Sequence, residues 1–252
     1  MRFLTAIPVY NEEKYVQSVI DCVKNFSDDI LVVNDGSRDA SSSMAREQGA
    51  IVIDHPTNFG YGRALRTAFA YAADNAYDVM VTLDADKQHP PRYIPAFLNY
   101  ISDFDIVSGS RYLAPQPENT PAPPERQRIN RVITGIVNGC TGYRLTDSFC
   151  GFKAYSVVAL KSLDLREDGY AMPLELWIQA AAHGLKVREI PVSLIYLDAQ
   201  RSFGHELDNA DKRLAYYREV IDREIQRVCV EQPTSLAACA GGTNAICDTT
   251  EE

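Results

Sequence analysis

Five short β-rich runs punctuate the first half of the chain, at residues 3–7, 30–33, 51–53, 79–83 and 106–107. Helical patterns of roughly 10 to 15 residues separate them, and this alternation restricts the fold more than any other feature. Strands that recur on the far side of a helix run parallel, and a parallel sheet has to be covered on both faces. The expected class is therefore α/β, with a mostly parallel central sheet and helices on both faces. Such sheets bind ligands beyond the carboxyl ends of their strands. Polar clusters stand at four of those ends: residues 8–12, 34–37, 84–88 and 109–111.

The length of 252 residues fits one large core. A single catalytic domain is expected over residues 1–227, with a ligand-binding half at 1–111 and an acceptor-side half at 126–227. After Gln232 the sequence turns to small polar residues without period, and residues 228–252 read as a disordered tail. No apolar run reaches the roughly 18 residues that a membrane span needs, and the first residues turn polar too early for a signal peptide. The expectation is a cytoplasmic protein. A formal net charge of −9 speaks against nucleic acid as a partner. Six cysteines without metal-ligand spacing read as reduced thiols. The proline-rich residues 114–124 read as a mobile loop, lid or connector. Leu207, Ala210, Leu214, Tyr217, Ile221, Ile225 and Val228 recur at helical spacing, for core packing or for self-association as a homodimer.

In VTLDADKQHP an apolar strand runs into Asp84, Asp86 and Gln88. Strand alternation would point all three the same way. Paired carboxylates and an amide suit a hard divalent ion, Mg²⁺ or Mn²⁺, that shares its shell with substrate phosphates; a solvated strand end is the plain alternative. In NDGS, Asp35 offers an ionised acceptor to the N–H groups of a nucleobase, or else caps the next helix. The backbone at Pro8 and Tyr10, with Glu12 beyond, is placed to hold a base or ribose. The first βα turn, PVYNEE, lacks the glycine fingerprint of dinucleotide binding. Glycines appear instead in NFGYGRAL, where Asn58 precedes a helix and Gly62 permits a close backbone approach.

Read in order, IPVYNEE, VVNDGS, NFGYGRA, DADKQHPP, GSRY, DSFCGFKAYS, PLELW and REIPV resemble the inverting glycosyltransferases of family 2, above all their dolichyl-phosphate mannosyltransferase-like branch. The resemblance implies a GT-A fold, a nucleotide-diphosphate-sugar donor (GDP-mannose or a UDP-sugar) and a divalent metal. It implies that Asp35 contacts the base and that Asp84, with Ala85 among the donor-binding residues, lies near ribose or sugar. Asp86 and Gln88 would hold the metal. As forked donors, Arg111 and either Arg128 or Arg131 are candidates to grip phosphate oxygens. The implied acceptor is a polyprenyl phosphate at a membrane surface, which is already ionised. A soluble or glycan hydroxyl is the alternative and needs a base, for which Glu175 and Asp147 are candidates. A non-catalytic nucleotide-sugar binder is the second alternative. Thr67 and Lys153 stand where the family pattern has Gly and Arg, and Arg201 is the match for a further arginine.

Overall fold

A computed structural model describes residues 1–196, 205–231 and 236. The elements are β1 (Phe3–Val9), α1 (Val16–Val23), β2 (Ile30–Asn34), α2 (Ser41–Glu47), β3 (Ile51–Asp54), α3 (Tyr61–Asp74), β4 (Val79–Thr82), α4 (Ile94–Tyr100), β5 (Ile106–Ser110), α5 (Pro124–Thr141), β6 (Lys153–Ser156), α6 (Val157–Leu160), α7 (Met172–Ala182), β7 (Val187–Pro191) and α8 (Ala210–Glu231). The seven strands form one sheet in the order β3-β2-β1-β4-β6-β5-β7. Every pairing is parallel except those of β6, which runs antiparallel to both β4 and β5. That strand was not foreseen: FKAYS is too short to announce a strand by its pattern.

Helices cover both faces, as the alternation requires. Val16, Val19, Ile20 and Val23 of α1 pack on one face with Ile94 and Phe97 of α4. On the other, Ala64, Leu65, Ala68 and Phe69 of α3 share one core cluster with residues of α5, α7 and α8. Helix α7 is apolar nearly all round and buried from Met172 to Ala180, because α5 and α8 close over it. The expected helical face of α8 is buried at Tyr217, Ile221, Ile225 and Val228. That helix continues through Glu231, so the tail starts later than residue 228; the remaining tail, apart from the buried Leu236, and Arg201 lie outside the described residues. Cys22, Cys140 and Cys150 carry free thiols, but Cys229 is disulfide-bonded, so the expectation of reduced thiols does not hold throughout.

The sheet reverses its order between β1 and β4: the chain leaves β1 toward β2 on one side, and β4 pairs on the other. A crevice opens outside the carboxyl ends of strands at such a switch. β1 extends through Val9, which puts Pro8 inside the strand opposite Val33 instead of in the turn. Proline is tolerated there because the β1–β4 ladder has already ended at Ala6 and Thr82. Residues 114–123 are tied down where a mobile loop was expected: Thr120 N–H donates to the Leu194 carbonyl at 2.8 Å and Leu194 N–H to Asn119 Oδ1 at 2.8 Å.

Glycines in two helices have opposite meanings. A Cβ on Gly62, in the first turn of α3, would overlap the Glu167 carbonyl and sit 2.7 Å from the Met172 Cβ, whereas one on Gly139 of α5 would meet nothing within 4 Å. Gly62→Ala should destabilise the fold by about 1–3 kcal/mol. Gly139→Ala should leave stability unchanged or raise it by about 0.5–1 kcal/mol. Urea unfolding midpoints of the two variants check this; equal midpoints would contradict the packing described.

Candidate active site

The loops after β1 and β2 clasp each other. Asn11, at φ 55°, donates its N–H to Ser37 Oγ at 2.9 Å and accepts Arg38 N–H on Oδ1 at 2.9 Å. Glu12 N–H reaches Ser41 Oγ at 2.8 Å, and Glu13 and Asp39 exchange places as acceptors for Ala40 and Glu13 N–H, both at 3.1 Å. Asparagine tolerates the left-handed conformation, so the chain turns at Asn11 with Tyr10 exposed at the strand end.

Asp35 is buried at the end of β2. Its Oδ1 accepts His55 Nδ1–H at 2.7 Å and Phe59 N–H at 3.0 Å, and its Oδ2 accepts Gly60 N–H at 2.8 Å. The carboxylate thus anchors the loop that opens α3, where negative charge also meets the helix N-terminus favourably. Thr67, one helical turn on, meets the other His55 nitrogen at 2.9 Å. Asn58 is exposed on that loop. The close approach allowed by Gly62 is to the Glu167 carbonyl and Met172, protein against protein.

β4 stops at Thr82, and Lys87 turns the chain with φ 63°. Asp84, Asp86 and Gln88 are therefore not aligned by strand alternation. Asp86, 7% exposed, folds back to accept Gln88 N–H on Oδ1 at 3.0 Å, a turn of the kind aspartate favours. The Asp84 side chain is 24% exposed, accepts a hydrogen bond from the Tyr61 hydroxyl on Oδ1 at 3.1 Å, and lies over Gly151, where a Cβ would overlap its carboxylate. Ala85 between the two is buried. His89 is buried beside them with Nδ1 unpartnered, 3.7 Å from Asp84 Oδ2. Burial drives its pKa down to about 4 against the raising pull of Asp86, so the ring is neutral. Burial, together with the nearby Asp84 charge, raises the Tyr61 hydroxyl well above its ordinary value and keeps it a donor.

Arg111, at the end of β5, forks onto Asp147: Nε to Oδ2 at 2.6 Å and Nη2 to Oδ1 at 2.9 Å. Asn130 adds a bond to Oδ1 at 2.7 Å. Burial alone would raise the Asp147 carboxyl, but the Arg111 charge and fork, with Asn130, outweigh it and hold the pKa at about 2. Asn130, Thr134 and Asn138 recur every four residues on the inner side of α5 and grip residues 145–148 through Asp147, Ser148 and the Leu145 backbone. That polar stripe in RINRVITGIVNG was the signal for Asn130, which the sequence reading missed along with Tyr61 and His89. Arg131, its neighbour, is exposed on α5, and no contact brings it to this cluster.

Glu175 is engaged within the fold. Buried in α7, it accepts Arg166 N–H at 2.9 Å and Glu167 N–H at 2.8 Å, with Arg227 of α8 at 3.5 Å. Burial raises its pKa while those N–H groups oppose the rise. Its carboxylate holds the segment 166–169 that packs on Gly60 and Gly62, a structural engagement for the carboxylate that the sequence offered as a candidate base.

A mostly parallel sheet whose order reverses between β1 and β4, with two carboxylates after β4 and a forked arginine after β5, fits a GT-A glycosyltransferase. The model of Glycosyl transferase family 2 matches residues 5–164, and the chain belongs to that family. Its place is in the dolichyl-phosphate mannosyltransferase-like branch. An uncharacterized protein of Methanocaldococcus jannaschii is 34% identical over 203 residues, 79% of this chain and 83% of that one. The dolichyl-phosphate hexose transferase of Haloferax volcanii is 30% identical over 234 residues, 90% of this chain and 93% of that one. The crystal structure of glucosyl-3-phosphoglycerate synthase from Mycobacterium tuberculosis shares the fold, with a TM-score of 0.68 at 22% identity, over 91% of this chain and 81% of that one.

Asp147 carries a pH dependence of stability. Its folded pKa, about 2, lies below the unfolded value of 3.8, so its contribution is complete above the unfolded value and is lost as pH falls through the folded one. In urea unfolding the gap between wild type and Asp147→Asn should narrow by about 2 kcal/mol between roughly pH 5 and pH 2. A gap independent of pH would contradict the buried pair.

Proposed function

We propose that the chain transfers a sugar, with inversion, from a nucleotide-diphosphate-sugar to a polyprenyl phosphate, using Mg²⁺ or Mn²⁺. The reading is carried by the lip of the crevice, where Asp84 and Asp86 follow β4 and Arg111 follows β5. Among the described residues no group of three or more His, Cys, Asp or Glu side chains forms a metal cage. The donor set instead fits a hard ion held by one or two carboxylates and completed by phosphate oxygens and water, and the unpartnered Nδ1 of His89 beside Asp84 marks a polar site. Asp86, Asp84 and Gln88 would hold the ion, which supplies Lewis-acid neutralisation of the departing diphosphate.

The chain's own groups divide the remaining work. A guanidinium has five N–H donors; Arg111 spends two on Asp147, which leaves three for phosphate oxygens on a side chain already locked in place. The loops clasped after β1 and β2 bound the nucleoside end. A phosphate acceptor is ionised near neutral pH and attacks without giving up a proton. The engagement of both candidate bases elsewhere, Asp147 by Arg111 and Glu175 by residues 166 and 167, supports such an acceptor. Among the described residues no helix is long and apolar enough to cross a membrane. On this reading the enzyme meets its lipid at the membrane surface.

Asp86→Ala should lower transfer by on the order of 10² or more while far-UV circular dichroism and the melting temperature stay those of wild type. EDTA should abolish activity in wild type, and Mn²⁺ should restore it. Undiminished turnover in EDTA would remove the metal. For the acceptor, Glu175→Gln should keep a rate on polyprenyl phosphate in detergent close to wild type, with no new pH dependence. A loss of about 10² to 10⁴, or a wild type active only on a soluble alcohol, would favour a base and a hydroxyl acceptor instead.

A further inference from the structure

The Asp35 carboxylate carries information about which nucleobase it can accept. Two carboxylate oxygens offer about four lone-pair positions. On Oδ1 both are filled, by His55 Nδ1–H at 2.7 Å and Phe59 N–H at 3.0 Å, and on Oδ2 one is filled, by Gly60 N–H at 2.8 Å. One position is left, on Oδ2. The residue is 3% exposed, so a donor that pairs with the remaining position does so largely out of water. Gly36, at φ 72°, lets the turn lie directly against Thr57 and Asn58, which fixes the carboxylate and its donors as one unit.

We infer that this site selects a uracil-containing donor over a guanine-containing one, and that His55 sets the selection; the inference rests on the proposed contact between Asp35 and the nucleobase. Uracil presents one ring N–H between two carbonyl groups, which a single acceptor position satisfies. Guanine presents two parallel donors, the ring N–H and the amino group, and pairing both needs a free position on each carboxylate oxygen. With Oδ1 full, one guanine donor is left buried without a partner. Adenine and cytosine set a ring acceptor against the carboxylate and are disfavoured further. Whatever its protonation state, the imidazole meets a carboxylate oxygen only as a donor, and Thr67 Oγ1 on Nε2 at 2.9 Å holds the ring in that orientation. His55 is thus a positioning residue that removes the second acceptor position from Oδ1.

The test is calorimetric titration of the full chain with UDP, GDP, CDP and ADP in the presence of Mn²⁺. UDP should bind about tenfold or more tightly than GDP, the discrimination that one unpaired buried donor produces. His55→Leu, which frees the position on Oδ1, should narrow the UDP-to-GDP ratio, and His55→Asn, whose amide replaces the ring donor, should keep it. Tighter binding of GDP than UDP in wild type would overturn the inference and leave the donor reading intact. Failure of all four to bind would overturn both. An unchanged ratio in a folded His55→Leu protein would remove His55 from the selection.

Discussion

β6 is the one strand that opposes its neighbours, and the arrangement of the crevice depends on its insertion between β4 and β5. A strand entering from the opposite direction brings its approach segment to the carboxyl ends of the two strands it joins. Residues 147–151 therefore arrive beside the loops after β4 and β5. Asp147 lands on Arg111, and Gly151 lands under the Asp84 carboxylate, where any side chain would displace it. Had the sheet stayed parallel at this point, the two carboxylates and the arginine would lack the floor that holds them.

The polar groups around that floor are buried and held by partners inside the protein. Asp147 is fully buried, and removing one partner of such a pair leaves a charge with no solvent, a penalty of about 3–5 kcal/mol. Lys153, also buried, donates from Nζ to the Cys150 carbonyl and lies 5.4 Å from the centre of the Trp177 ring. Burial lowers its pKa, as it lowers that of His89 and raises that of Cys150 to about 12. A site assembled this way is preorganised: Arg111 and Asp84 are held by residues behind them, and on the proposed function little reorganisation remains for the reaction.

Much of this was legible in the sequence because it depends on local pattern. The parallel strands, the two-sided cover of helices and the apolar face of α8 follow from periodicity, and the polar clusters at strand ends located the crevice. The geometry within the crevice did not follow. Alternation predicted that Asp84, Asp86 and Gln88 share a face, yet the strand ends two residues before Asp84 and turns at Lys87, a reversal that nothing in DADKQ announces. For Glu175 the sequence left a base and a structural role open, because a carboxylate near a motif has no address in sequence; its partners, the N–H groups of Arg166 and Glu167, are nine and eight residues away on a loop. Arg131 is exposed on α5, and its neighbour Asn130 is the residue that reaches Asp147. Asp35 was identified as an acceptor, but its internal donors come from the end of β3 and the start of α3, and only the folded chain brings them together.

The central claim is that a divalent ion and a nucleoside diphosphate meet at Asp86, outside the ends of β1 and β4. Anomalous diffraction at the manganese edge, from crystals grown with Mn²⁺ and a nucleoside diphosphate, tests it most directly. The account predicts one strong peak bonded to the Asp86 carboxylate and to diphosphate oxygens. A diphosphate bound at another edge of the sheet, or one bound in the crevice without a metal peak at saturating Mn²⁺, would contradict it.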